Sequence, residues 1–214
     1  MKKFGFTLAE VLITLVIIGV VAALTVPSVV TNSANAQLES QIQKFYAQFS
    51  KAIELYMVDN NIEKFADFGA DFDEEEFVNK YLNVAQKCDY TSSDCFAKEY
   101  TLEPDRGTAI EPFKGGYVLV DGSSFLFSET SFVVFDVNGH KKPNKVGKDL
   151  WSFYVHSDGS LDSYFAEPEN RKSYSASELN DLIEGRLQSD FYSNMYGTNF
   201  GFFIRNGFKL FEID

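Results

Sequence analysis

Cysteine, histidine and tryptophan are scarce in this chain: two, two and one among 214 residues. Two cysteines exclude a four-cysteine zinc module and a multi-bridge disulfide scaffold. There is no C-x-x-C, no G-x-S-x-G and no glycine-rich phosphate loop, so dithiol redox, serine-hydrolase and P-loop chemistry have no motif to rest on. His140 and His156 stand in no metal-binding or nucleophile pattern, and paired carboxylates carry no weight without geometry. Positive charge is also short. Nineteen Lys and Arg face thirty-one Asp and Glu, a formal charge of −12, which argues against bulk electrostatic attraction to nucleic acid. Internal repeats and domain-length linkers are missing as well. Aromatic residues are abundant instead, with 22 Phe and 11 Tyr; they favour one ordered, well-packed core over disorder.

Charge is missing altogether from Val11 to Val30, where most side chains are Val, Ile, Leu or Ala. Twenty residues at about 1.5 Å each give roughly 30 Å of helix, the thickness of a bilayer's hydrocarbon core. Lys2 and Lys3 precede it, a bias that keeps the N-terminus cytoplasmic and sends the rest of the chain across. A cleaved secretory signal is a poor reading: the apolar run is too long, and Ala22-Ala23 is followed by more hydrophobic residues. A plain signal anchor fits the length but leaves Glu10 unexplained. A carboxylate at the centre of a membrane helix costs about 2.5–3.5 kcal/mol on insertion scales, less near the interface, and such groups are usually paired.

The run Gly5-Phe6-Thr7-Leu8-Ala9-Glu10 closely resembles the processing motif of type IV prepilins and type II secretion pseudopilins. The resemblance covers about the first 30 residues, including Gly19 and Pro27, where helices of that family commonly carry a Gly and a kinking Pro. It implies that a prepilin peptidase cuts between Gly5 and Phe6 and methylates the new N-terminus at Phe6. It also implies that the α-ammonium group of a neighbouring subunit neutralises Glu10, setting the register of assembly. The expected partners are that peptidase, other copies and related pilin-like subunits, an inner-membrane assembly platform and the lipid bilayer.

Beyond Pro27 the helix is expected to continue. Leu38, Ile42, Phe45, Phe49, Ile53 and Tyr56 recur at spacings of three and four, an apolar stripe, while Gln41, Gln43, Gln48 and Lys51 belong to the wetter face. From Phe6 to about Asn60 this makes roughly 80 Å of helix. A second helix begins after Asp73, with Glu76 as its capping-box partner; Phe77, Tyr81, Leu82 and Val84 supply its apolar side up to Cys88. Another short helix is expected after Ser175, with Glu178 in its cap and Leu179, Leu182, Ile183 and Leu187 on its face.

Strand patterns occupy Tyr117–Val120, Ser124–Phe127, Phe132–Val137, Trp151–His156 and Ser160–Phe165, with Asp121-Gly122 and Asp158-Gly159 as tight turns. Gly201–Arg205 and Phe208–Ile213 flank Asn206-Gly207, a hairpin signal. The fold class is therefore α+β: a long N-terminal helix packed on an antiparallel sheet, as the pilin resemblance also implies. The chain divides into a leader at 1–5, a transmembrane and assembly helix at 6–30, its amphipathic continuation at 31–62 and an exported globular domain at 63–214.

Two further features invite chemistry. Cys88 and Cys95 lie in an exported, cysteine-poor chain, the setting for a single disulfide; its short loop is worth roughly 2.5 kcal/mol in the chain-entropy model. In the segment 136–149, Asp136, Asn138, Asn144 and Asp149 offer hard oxygen ligands, so Ca²⁺ is the ion to consider, and the loop resembles the Asp- and Asn-bearing loops of some calcium-binding pseudopilins. Lys141, Lys142, Lys145 and Lys148 oppose a cation there, and a plain loop built on Asn, Gly and Pro turn chemistry is the simpler reading. Trp151, Tyr154 and Tyr164 are read as packing residues before they are read as a glycan or partner platform, and His156 as a residue of the sheet.

The expected function is structural, not enzymatic: a pseudopilin of a type II secretion machine, with a type IV or competence pilin as the near alternative. A monomeric, signal-anchored extracellular binding protein is the alternative of a different class. Location follows from the helix: the bacterial inner membrane, single-pass, with the C-terminal domain outside the cytoplasm and periplasmic or extracellular once assembled.

Overall fold

The computed structural model describes residue 5 and residues 7–69, 72–101, 113–128, 131–164, 198–205 and 207–210. The chain forms two compact units, Met1–Gln37 and Leu38–Asp214. Helix α1, Leu8–Asp59, runs through Pro27 and contributes to both. In the first unit its large apolar side chains from Leu8 to Val30 are 42–80% exposed. Water does not tolerate so long an apolar surface, and the helix is long and apolar enough to cross a membrane.

In the second unit α1 becomes amphipathic, and Leu38, Ile42, Phe45, Phe49 and Ile53 of the expected stripe are buried, with Ala52 beside them. Tyr56 packs at its edge. Phe45 lies flat on Phe135 of the sheet, centroids 4.4 Å apart at an interplanar angle of 4°. Gln48 of the polar side departs from expectation, with its Oε1 buried and lacking a partner. Helix α2, Glu74–Tyr81, starts at Asp73, whose carboxylate accepts from Glu76 N–H at 2.8 Å. It stops at Tyr81 because Leu82 is extended.

The sheet is a six-stranded antiparallel meander in chain order. Its strands are β1 Val84–Cys88, β2 Gly116–Leu119, β3 Ser124–Phe127, β4 Phe132–Asp136, β5 Leu150–Val155 and β6 Leu161–Asp162. Period-two alternation separates its faces. Tyr117, Leu119, Phe125, Phe127, Val133, Phe135, Trp151, Phe153 and Val155 join the core under α1. Val118, Leu126, Val134 and Leu150 join a second, smaller cluster with Cys88, Cys95, Phe96, Ala97 and Tyr100. The sheet is thus covered on both faces, by helix on one and by an irregular, disulfide-closed segment on the other.

Two expectations are corrected. Val84, assigned above to a helix face, begins strand β1. Ala85 is the extra residue of a β-bulge: Val84 pairs with Leu119, but Gln86 already pairs with Val118. A bulge shifts the side-chain phase by one, so Val84 faces the helix while Cys88, opposite Gly116, faces the second cluster. The C-terminal hairpin is absent from residues 198–205, which form helix α3, Thr198–Arg205. Phe200 and Phe203, three apart, are both fully buried against the sheet, a helical spacing that burial favours. Gly207, at φ +68°, is the left-handed residue past the helix end. Gly207 N–H donates to Ile204 O at 3.1 Å and Phe208 N–H to Phe203 O at 2.9 Å, a Schellman cap. The helix expected after Ser175 lies outside the described residues, as does the Phe165 end of the last expected strand.

Candidate functional site

The N-terminal segment is built on a cap. Thr7 N–H and Thr7 Oγ1 both donate to Glu10 Oε2 at 2.8 Å, and Glu10 N–H donates back to Thr7 Oγ1 at 3.3 Å. Threonine with glutamate three residues on is a reciprocal capping box, which satisfies N–H groups that a helix start leaves open. The pattern is legible in Thr7-Leu8-Ala9-Glu10, as threonine followed three residues on by glutamate. Gly5 is exposed just ahead of this cap; Phe6 lies outside the described residues.

The loop from Asp136 to Asp149 brings its two carboxylates inward. Asp136 and Asp149 are both fully buried. Asp136 Oδ1 accepts from Asn138 N–H at 3.0 Å and Gly139 N–H at 2.8 Å, and its Oδ2 accepts from the Tyr100 hydroxyl at 2.5 Å. Asp149 accepts from Asn144 N–H and Lys145 N–H, each at 2.6 Å. Burial pushes Asp136 up to about 7, with Asp149 adding to the rise against the pull of these donors. Burial likewise raises Asp149 and the Tyr100 hydroxyl.

A calcium cage needs oxygens turned toward one point and free to coordinate. Here five N–H and O–H donors already converge on the two carboxylates, and of the four expected ligands only Asn144 Oδ1 is buried without a partner. No group of three or more His, Cys, Asp or Glu able to hold a metal occurs among the described residues. The donor set fits a hydrogen-bonded loop, not an ion cage.

Cys88 and Cys95 form a disulfide, with Cα atoms 5.9 Å apart. His140 Nε2 lies 2.6 Å from Asp94 O, inside the segment that this bridge closes. His156, read above as a residue of the sheet, lies one residue past β5 and is buried there with Nε2 3.0 Å from Ser163 O. Trp151 is core: it donates to Lys148 O at 2.9 Å and packs against Phe203 with the rings tilted by 43°. Tyr154 packs between Phe132 and Tyr164, and of the three expected packing residues only Tyr164 keeps substantial exposure, at 39%.

These features define an α+β protein headed by a long helix whose first half is apolar. Residues 1–26 match the family described as the prokaryotic N-terminal methylation motif. The chain is similar to the type II secretion system core protein G of Escherichia coli K12, 37% identical over 60 residues, and to that of Aeromonas hydrophila, 35% over 60 residues; each covers 28% of this chain and 41% of the relative. The Vibrio cholerae protein of the same name is 32% identical over 82 residues, 38% of this chain and 53% of the relative. The chain therefore spans about half the length of the curated relatives it matches, or less. No solved structure matches it significantly.

Proposed function

We propose that this chain is a structural subunit of a pilus-like filament, and specifically a pseudopilin of a type II secretion machine. The single observation that carries the reading is the N-terminal segment: Gly5 ahead of a charge-free helix of membrane-spanning length, broken only by Glu10. In this reading prepilin peptidase removes residues 1–5 and methylates Phe6. The apolar half of α1 then resides in the inner membrane until the assembly platform draws it out. Exchange of lipid for neighbouring helices keeps the same apolar surface out of water, so extraction needs little net hydrophobic cost. Glu10 sets the axial step by pairing with the Phe6 ammonium of an adjoining copy. The mechanism is assembly rather than catalysis, and the exported domain decorates the polymer or meets cargo. A type IV or competence pilus is served by the same parts.

The Thr7–Glu10 box supports a second reading. It gives the carboxylate hydrogen bonds inside its own chain, so a monomeric, membrane-anchored binding protein does not need a neighbour to tolerate Glu10. Glu10→Ala separates the two. In the subunit reading the variant reaches the membrane at wild-type level while its share in sheared or cross-linked filaments falls about tenfold or more, equivalent to about 1.4 kcal/mol of lost pairing. An unchanged filament share would reject the role given to Glu10.

A further inference from the structure

The loop weighed above as a calcium candidate is met by a neighbouring piece of chain. The segment from Cys88 to Thr101 crosses the sheet face opposite α1, and Cys95, Phe96, Ala97 and Tyr100 are almost wholly buried there. It meets the 136–149 loop at three separate places. The Tyr100 hydroxyl, which itself accepts from Ala97 N–H at 3.1 Å, donates to Asp136 Oδ2. Thr101 N–H donates to Asn144 O at 2.9 Å, and Val146 N–H to Thr101 O at 3.0 Å. His140 Nε2 reaches Asp94 O. The bridge to Cys95 ties this segment back to strand β1, and the bulge at Ala85 is what turns Cys88 to the correct face. Gly116 leaves room for the same approach: a Cβ there would stand 3.2 Å from the Phe96 ring and 2.5 Å from Phe125 O.

We infer that the Cys88–Cys95 segment is a redox-set latch: its two thiols exchange with a protein disulfide of the exported compartment, which leaves as a dithiol, and the bridge so formed, not a divalent cation, holds the 136–149 loop shut. The chemistry is consistent on both sides of the contact. A cation would satisfy buried carboxylates by direct coordination, whereas here O–H and N–H donors satisfy them, one supplied by the latch and the rest by the loop's own backbone. Reduction removes the covalent tie at Cys95, five residues before Tyr100, and leaves Tyr100 held only by packing and by hydrogen bonds. The loop exposes Lys141 and Lys142, so opening it rearranges a basic segment on a strongly acidic chain. Strands β3 and β4 and the helix residues 42–53 share no residue with the latch and should not respond.

Hydrogen exchange on the full-length protein in detergent tests this directly, with four arms: oxidised, reduced with a phosphine, calcium-loaded and chelator-treated. The latch predicts that reduction speeds exchange in peptides covering 89–101 and 137–149 by about tenfold or more. Peptides from β3, β4 and residues 42–53 should stay at their oxidised rates, and calcium or chelator should change neither loop. Unchanged exchange in 137–149 on reduction, or slowing by calcium alone, would overturn the inference. Equal acceleration everywhere would overturn it too, because the bridge would then support the whole domain. Tyr100→Phe gives an independent check: it keeps the bridge and the ring but removes the donor, and should speed exchange in 137–149 while the protein stays oxidised. No change in that variant would remove Tyr100 from the latch.

Discussion

Glu10 and Asp136 are both carboxylates placed where a free charge is costly, and each is handled by donors close at hand. For Glu10 the donors come from Thr7, one turn away. Thr7→Val removes the hydroxyl half of that box, and capping losses of this kind cost about 1 kcal/mol of helix stability. The measurable result is fraying of the first turn, seen as faster amide exchange at Val11, whose N–H donates to Thr7 O. Asp136 makes a pH prediction. Its folded value is raised to about 7, whereas an unfolded Asp titrates near 4. Between those values the folded state binds more protons, so this group's contribution is fully present below about pH 4 and is lost as pH rises through about 7. The decline should amount to roughly 2–4 kcal/mol. Urea midpoints of the wild type should fall between about pH 4.5 and 7.5 by an amount that Asp136→Asn largely abolishes; parallel curves for the two proteins would refute the assignment. Arg205 supplies a third residue-level test. It donates from Nη1 and Nη2 to the two oxygens of Asp162, each at 3.0 Å, in a largely buried pair. Arg205→Met removes the cationic partner of that carboxylate, which keeps the Ser163 N–H at 2.7 Å, and should destabilise the domain by about 1.5–3 kcal/mol, read from the urea midpoint.

At the scale of elements, the bulge and the Schellman cap decide two local outcomes. Deleting Ala85 should restore regular pairing in β1 and turn Cys88 onto the helix face. Thiol titration of the unfolded, unreduced variant should then find two free cysteines where the wild type shows none; an intact bridge would mean that the bulge does not set the face. Gly207→Ala places a Cβ at φ +68° and should cost about 1 kcal/mol at the end of α3. Both elements were hard to read from sequence for identifiable reasons. Val84-Ala85-Gln86-Lys87-Cys88 has no clean alternation, because the bulge breaks the period that marks a strand. Asn206-Gly207 signals a residue in the left-handed region, and a helix end uses that conformation as readily as a hairpin does. Strong periodicity was legible throughout: Ser124–Phe127 is a strand at its expected bounds, and the stripe from Leu38 to Ile53 is buried. The oxygen ligands of the 136–149 loop were legible in composition but not in direction. Nothing in Asp136, Asn138, Asn144 and Asp149 as letters says whether their oxygens meet an ion or accept from backbone N–H groups.

For the whole molecule, one chain joins two unlike pieces. The unit Met1–Gln37 exposes apolar surface that only lipid or other helices can cover. The unit Leu38–Asp214 buries its own surface, with the helix stripe on one face of the sheet and the latch on the other. Attachment to the second unit is deep. Phe45 alone packs against Phe49, Phe125, Phe135 and Phe153, so Phe45→Ala should cost about 3–5 kcal/mol. Glu39, also buried, holds the far end of the described chain through Lys209 Nζ at 2.7 Å and Leu210 N–H at 3.0 Å.

The proposal as a whole turns on what happens at Gly5. Intact-mass and N-terminal peptide analysis of the protein from cells with and without prepilin peptidase reads it directly. A polymer subunit should begin at N-methylated Phe6 when the peptidase is present and at Met1 when it is not. A chain that keeps Met1 through Gly5 in peptidase-positive cells, with no methyl group on Phe6, contradicts the account.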